Sequence, residues 1–402
     1  MDKREQYIDK QIIEQIMELR KQLHRIPEHS MQEVKTKQLL MDFLKSHTAL
    51  EIVDCGAWFY AVKRAVNPVT TESNKAFDVS ETTMEIPDQM VEYRQPIAFR
   101  ADMDAVCGKD GKPGHFCGHD GHSSVLCGLG LYLDSRKDPL AQDVYLIFQP
   151  AEEIGKGAEL CRSLIKEKHI GEIYGFHNIP GKPLGTVLVK DGTFACASTG
   201  LEIHMTGTPS HAAYPEAGRN PGYALAGLLL QIEELTKQFN ETRGFVRMTL
   251  IGMKLGSENY GVAASDGYLR LTVRSEGEQV FREYLAEIRK LAEVMAQKEA
   301  LELSIKEIER FPSTDNHAEQ VQKILACAAS HQIPYIELPE PMRWSEDFGW
   351  YLQETKGAFF GIGDGEDYAQ LHTEHFEFPD SILETAVTMF AGLCVDIKEG
   401  EC

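Results

Sequence analysis

The chain has 402 residues, 43% hydrophobic and 26% charged, an ordinary globular composition long enough to bury two cores. A formal net charge of −21 with no basic stripe argues against nucleic acid or an anionic membrane surface as partner, and no apolar run approaches the roughly 20 residues of a transmembrane helix. Nine cysteines without framework spacing, and an opening segment MDKREQYIDKQIIEQ with no apolar stretch, predict reduced thiols and a cytoplasmic location.

In chain order, Ile12, Ile13, Ile16, Met17, Leu19 and Leu23 recur at helical spacing, so residues 6–46 read as one helix or two, interrupted at Pro27. The polar stretch from Val62 to about Val91 reads as a loop or an insertion over residues 65–93. Short apolar strands then run into polar residues. Pro96–Arg100 leads to Asp102 and Asp104, Val144–Phe148 to Glu152 and Glu153, and Ile173–Phe176 to His177, with a helix near Ser123–Leu133. Strands alternating with helices predict an α/β sheet, whose ligands bind at the carboxyl ends of the strands.

The rhythm changes over residues 197–310. A strand at Leu201–Thr206, a helix at Asn220–Phe239 with Pro221 in its first turn, strands at Phe245–Leu255 and Tyr268–Val273, a helix at Glu278–Lys298 and a strand at Leu301–Ile308 give the order βαββαβ. The expected architecture is therefore a mixed-sheet α/β domain formed by residues 1–196 and 311–402, interrupted by a ferredoxin-like βαββαβ domain.

Cys117-Gly-His-Asp-Gly-His122 places a thiol and two imidazoles within six residues, with glycines that let the backbone bend, and such side chains suit zinc and similar ions. The plainer reading is a buried thiol with hydrogen-bonded histidines. In Glu152-Glu153, adjacent side chains point apart, so one can bind metal while the other acts as general base; a solvated acidic loop is the alternative. His177 ends a strand, and His372 lies near the strand-like run Gly357–Gly363; each could equally be structural. Together, one Cys, three His and two Glu supply donors for two metals with one acid left over.

These residues resemble the aminoacylase-type di-metal peptidases, and within them the amidohydrolase branch of hippurate, auxin-conjugate and N-acyl amino acid hydrolases. The likeness runs through Arg20…His24…Pro27-Glu28…Glu33…Thr36, Arg100-Ala-Asp-Met-Asp104, Cys117–His122, Phe148-Gln-Pro-Ala-Glu-Glu153, Gly207-Thr-Pro-Ser-His-Ala-Ala213, Ser345-Glu-Asp-Phe348 and Leu371-His-Thr…Phe376. It implies Cys117, His119, Glu153, His177 and His372 as metal ligands, with Cys117 where related branches use a bridging aspartate. It further implies Glu152 as general base, His211 as the oxyanion-stabilising histidine, and Asp102 and Asp104 beside the metals. Cys107 stands where proline is usual, and Tyr260–Asp266 replaces an Asn-Val-Ile-Pro motif.

The expectation is a hydrolase using two divalent ions per chain, zinc or manganese foremost with cobalt and nickel also suited, that cleaves the amide bond of a small N-acyl amino acid or related conjugate. The inserted domain would serve as lid and homodimer contact. A dipeptidase or aminopeptidase of the same superfamily, or a non-catalytic metal- or small-molecule-binding protein, are the alternatives.

Overall fold

The computed structural model describes residues 7–65 and 94–394. The first apolar stripe folds as two helices, Lys10–His24 and Val34–His47. Ile12, Ile16, Leu19 and Leu23 face the core, and Asp9 caps the first helix by accepting from Gln11 N–H at 2.8 Å. The expected insertion lies, after Ala65, outside the described residues. Val62 and Lys63 instead complete the strand Phe59–Lys63.

Eight strands form the main sheet, in the order Glu51–Asp54, Phe59–Lys63, Val144–Gln149, Ile97–Asp102, Glu172–Pro180, Lys356–Gly365, Val187–Val189 and Tyr335–Glu337. The middle four run parallel, and antiparallel pairings join the flanking pairs on either side to this block. Every residue of Ile97–Asp102 and Val144–Gln149 is buried, as expected of parallel strands covered on both faces. One face packs on the two opening helices and on His119–Ser135 and Leu383–Cys394. The helices approach closely at Gly128, where an added Cβ would stand 2.8 Å from Val387 and 3.0 Å from Ile16. The other face carries a second core that includes Trp58, Leu164, Phe348 and Phe359.

The strand carrying His177 is longer than its sequence suggests. It runs Glu172–Pro180 because Lys356–Gly365 pairs with it throughout, so His177 lies inside the strand and not at its end. Ile97–Asp102 pairs with it only as far as Gly175, which leaves room on that side at the level of His177.

Residues 197–310 build a separate antiparallel sheet in the order Val246–Leu255, Asp266–Ser275, Ala197–Thr206, Glu302–Phe311. Helices Gly222–Thr242 and Glu278–Lys298 pack on it around Leu201, Ile203, Leu228, Phe281 and Ile288, completing the βαββαβ order. Pro221 is the cap preceding the first of these helices, one position earlier than expected. A short ladder pairs Ser210–His211 with Val262–Ala263. Where the chain leaves and rejoins the main unit, Gly192–Ala195 pairs with Thr314–Asn316. Among the described residues no helix is long and apolar enough to cross a membrane.

Candidate metal centre

Beside the strand Glu172–Pro180, which carries His177, four further chain segments converge at the carboxyl end of the parallel strands. The first follows Ile97–Asp102 and carries Asp102 and Asp104. The second is the turn into helix His119–Ser135, where Gly118 has φ +99 and an added Cβ would meet Asn178 Oδ1 at 2.5 Å. Only glycine fits this left-handed corner, and it separates Cys117 from the helix that begins at His119. The third is the single turn Glu152–Ile154, entered through Ala151 at φ +53. The fourth carries His372, itself at φ +62, whose N–H donates to Phe116 O at 2.7 Å and ties this loop to the Cys117 segment.

The five side chains expected to hold metal meet around one sulfur. Cys117 Sγ lies 3.4 Å from His177 Nε2 and 3.3 Å from His372 Nε2. His119 Nε2 and His372 Nε2 each stand 3.6 Å from Glu153 Oε1. The donors sort into two groups that share the thiol: Cys117, His119 and His177, all buried, and Cys117, Glu153 and His372 on the open side, where His372 keeps 53% of its side chain exposed. Among the described residues, His119 Nε2 and Glu153 Oε1 are buried without a hydrogen-bond partner. Buried polar atoms are rarely left so, and these two aim at the shared donor space. The set of thiol, imidazole and carboxylate fits borderline divalent ions.

Neighbouring groups fix the ligand tautomers. His119 Nδ1 donates toward Asp104, with Oδ1 at 3.1 Å and the peptide oxygen at 3.0 Å, and His177 Nδ1 donates to Asn178 O at 2.7 Å. Each histidine thereby presents its Nε2 lone pair to the cluster, the second partner usual for metal-binding histidines. Asp104 Oδ2 also accepts from Glu153 N–H at 3.1 Å and Ser30 O–H at 2.6 Å, so one carboxylate links donors from both groups.

Charge is concentrated here. Burial holds His177 well below the usual imidazole range, with His122 adding to it, and keeps the ring neutral. Burial pulls His119 the same way, but Asp102, Asp104 and Glu153 outweigh it and lift the ring to about 10. Burial raises Glu153 to about 7, against the pull of His119. Burial also pushes the Cys117 thiol well up, helped by Glu153 and Glu152. Three carboxylates thus focus on one imidazolium proton, a position a divalent cation suits better.

Glu152 is 7% exposed and lies among His119 and Glu153 on one side and Glu346 and Asp347 on the other. Burial, then Glu346, Glu153 and Asp347, holds its carboxyl well above the ordinary range. Behind it Arg100 is fully buried and donates to Gln149 at 2.8 Å, Asp102 at 2.8 Å, Glu346 at 2.8 Å and Asp347 at 2.9 Å. The sequence pattern marked Arg100, Glu346 and Asp347 only as motif letters; a buried strand residue that is arginine was the available signal.

The second imidazole of the Cys117–His122 cluster turns away from the sulfur. His122 bridges Asp102 Oδ1 at 2.7 Å and Asn178 Oδ1 at 2.8 Å and stacks its ring beside His119. Asp102 approaches His119 Nε2 only to 3.8 Å. His211 is exposed on its short ladder, and among the described residues no hydrogen bond or ion pair joins it to the cluster. Trp344 packs against His177, ring centroids 5.4 Å apart, and walls one side of the site.

Comparison with known proteins places the chain among hydrolases of one family. The sequence pattern of Peptidase family M20/M25/M40 matches residues 98–396. N-acetyldiaminopimelate deacetylase of Bacillus subtilis is 27% identical over 406 aligned positions, covering 94% of this chain and 98% of the relative. An uncharacterized hydrolase of Staphylococcus aureus is 28% identical, covering 96% and 99%. Among solved structures, the Bacillus subtilis YXEP protein, described as a dinuclear metal binding peptidase, superposes with TM-score 0.75 at 25% identity, covering 96% of this chain and 98% of that one. An aminobenzoyl-glutamate utilization protein of Klebsiella pneumoniae shares the fold with TM-score 0.69 at 18% identity, covering 96% of each chain.

Proposed function

The chain belongs to Peptidase family M20/M25/M40 and is a hydrolase, and we propose that it uses two divalent ions to cleave the amide bond of a small N-acyl amino acid or related conjugate. The observation that carries this reading is the pair of orphaned buried atoms, His119 Nε2 and Glu153 Oε1, facing each other beside a shared thiol. In this reading Cys117, His119 and His177 hold one ion, and Cys117, Glu153 and His372 the other. When bound, the ions polarise the amide carbonyl and acidify the attacking water; zinc or manganese suits these donors best, cobalt and nickel next.

The chain's own residues supply the proton traffic. Glu152 stands outside the two groups that share the thiol and lies within reach of His119 in one and of Glu153 in the other. It takes the proton of the attacking water and returns it to the leaving amine, and a carboxyl held above its usual range suits both steps. His211 stabilises the oxyanion after movement of the inserted unit, or from a second copy of the chain. Residues 1–196 and 311–402 thus form the catalytic domain, and residues 197–310 the lid. The outer strand Val246–Leu255 exposes Leu250, Ile251, Met253 and Leu255 along an unpaired edge, which supports a homodimer through this unit. The eight free cysteines of the described residues suit a reducing cytoplasm.

The N-acetylated substrate named for the Bacillus subtilis relative makes acyl-capped amino acids the first class to test. Bound metals are quantified, and amino acid release is measured from N-acetyl, N-benzoyl and dipeptide substrates before and after chelation. Two ions per chain with chelator-sensitive release from capped substrates is the expected result. Activity on dipeptides alone would move the enzyme to a peptidase role, and no metal-dependent release would overturn the hydrolytic site.

A further inference from the structure

The N-terminal motif Arg20…Glu33…Thr36 contributes no metal donor, yet its residues reach three of the segments that build the site. His24 Nδ1 lies 2.8 Å from Asp120 Oδ2, and Arg20 Nη1 lies 3.6 Å from that same oxygen. Ser30 holds Asp104. Glu33, 5% exposed, accepts with a single oxygen, Oε1, from Met31 N–H at 2.9 Å and from Ala151 N–H at 2.8 Å.

We propose that Glu33 is a positioning residue for the Glu152–Glu153 turn; this rests on the reading of Glu152 as base and Glu153 as donor. Both of its backbone partners are non-glycine residues in the left-handed region, Met31 at φ +66 and Ala151 at φ +53. Such conformations persist only where the surroundings enforce them. Ala151 is fully buried and immediately precedes Glu152. Its carbonyl is held locally, accepting from Lys156 and Gly157 N–H at 3.2 Å each, but its N–H is held by Glu33, 118 positions away.

Without that acceptor the buried N–H is unsatisfied, and relaxing φ to negative values rotates the turn that aims both carboxylates. Glu33 therefore acts on both halves of the chemistry, the orientation of Glu152 toward water and of Glu153 toward its ion. Its neighbour Ser30 secures the opposite side, because Asp104 binds His119 and Glu153 N–H together.

The test compares full-length wild type with Glu33→Ala, Glu33→Gln and Glu28→Ala. Glu28 lies in the same segment and caps the second helix by accepting from Lys35 and Thr36 N–H, with no side-chain contact to a donor-bearing turn among the described residues. Zinc retention against a competing chelator, kcat and KM on the best capped substrate, and Tm are measured for each. Glu33→Ala is expected to loosen zinc by about 10–100-fold and to lower kcat at least about tenfold with KM little changed. Glu33→Gln keeps one oxygen for both N–H groups and restores both properties to within about threefold. Glu28→Ala lowers Tm and leaves zinc retention as in wild type.

Should Glu33→Ala fail to fold, Glu33→Asp, one methylene too short for both bonds, carries the same comparison with Glu33→Gln. The proposal is overturned if the shortened variants keep wild-type zinc retention and kcat, or if Glu28→Ala loosens zinc as much. Failure of wild type itself to bind two ions would bring down the two-metal reading, and this inference with it.

Discussion

Asn178 Nδ2 donates to Asp364 Oδ2 at 3.0 Å between the neighbouring parallel strands Glu172–Pro180 and Lys356–Gly365, while Asp364 Oδ1 is buried with no hydrogen-bond partner among the described residues. One amide does not compensate a buried carboxylate, and burial lifts Asp364 to about 7.

The sign of the pH effect follows. The folded pKa lies above the unfolded value, so the contribution of Asp364 to stability is fully present below pH ~4 and is lost as pH rises through about 7. Asp364→Asn carries a neutral amide throughout. It is expected to match wild type near pH 4 and to exceed it by on the order of 2–4 kcal/mol above pH ~7.5. Urea unfolding across this range checks the prediction, and a constant difference at all pH values would contradict it.

The shared sulfur makes the two donor groups unequal to mutation. Cys117→Ala should weaken both ions, whereas His177→Ala and His372→Ala should each weaken one, the His372 ion being the more open to solvent. Cobalt substitution followed by optical titration separates these cases, because the thiolate-to-cobalt band disappears only in the Cys117 variant. Cys117→Asp, which supplies an oxygen donor where related branches carry aspartate, should recover part of the second equivalent. Two tightly held ions in Cys117→Ala would refute the bridging arrangement.

Glu152 and Glu153 are adjacent but are expected to fail differently. Glu152→Gln should retain both ions and lose roughly 10²–10⁴-fold in kcat, since an amide cannot accept the proton of the attacking water. Glu153→Gln should lose metal first, with activity partly recovered at high free zinc. Paired metal analysis and steady-state kinetics distinguish them, and near-normal turnover in Glu152→Gln would reassign the base.

At the outer edge of the inserted unit, Ile251 is 62% exposed on a strand with one side unpaired among the described residues. Ile251→Lys is expected to leave the fold intact and to shift the protein from dimer to monomer at micromolar concentration in sedimentation velocity. A wild-type protein that sediments as a monomer would remove the edge strand from the assembly.

Local patterns were readable where local forces decide. The helical stripe from Ile12 to Leu23, the fully apolar Val144–Phe148 run and the alternation of Leu201, Ile203 and Met205 each announced their element. The length of the His177 strand was not readable, because it depends on pairing with Lys356–Gly365 from far along the chain. The same holds for Arg100 and Asp347, 247 positions apart, and for Glu33 and Ala151. His122 shows what a motif leaves open: it shares the Cys117–His122 cluster, and one helical turn after His119 it faces Asp102 and Asn178. The thiol, imidazoles and carboxylates that meet at the cluster were legible as types, whereas the hydrogen bonds that aim them belong to the folded chain.

The strand Lys356–Gly365 lies between Glu172–Pro180 and Val187–Val189, two strands made much earlier on the ribosome. The sheet therefore holds a gap between them until Lys356–Gly365 emerges. His372 follows that strand closely, so it reaches Cys117 only once the gap is filled. A chain lacking this strand has an open seam beside His177 and cannot bring His372 to Cys117. Strand order alone thus makes the gathering of Cys117, Glu153 and His372 wait on the insertion of Lys356–Gly365.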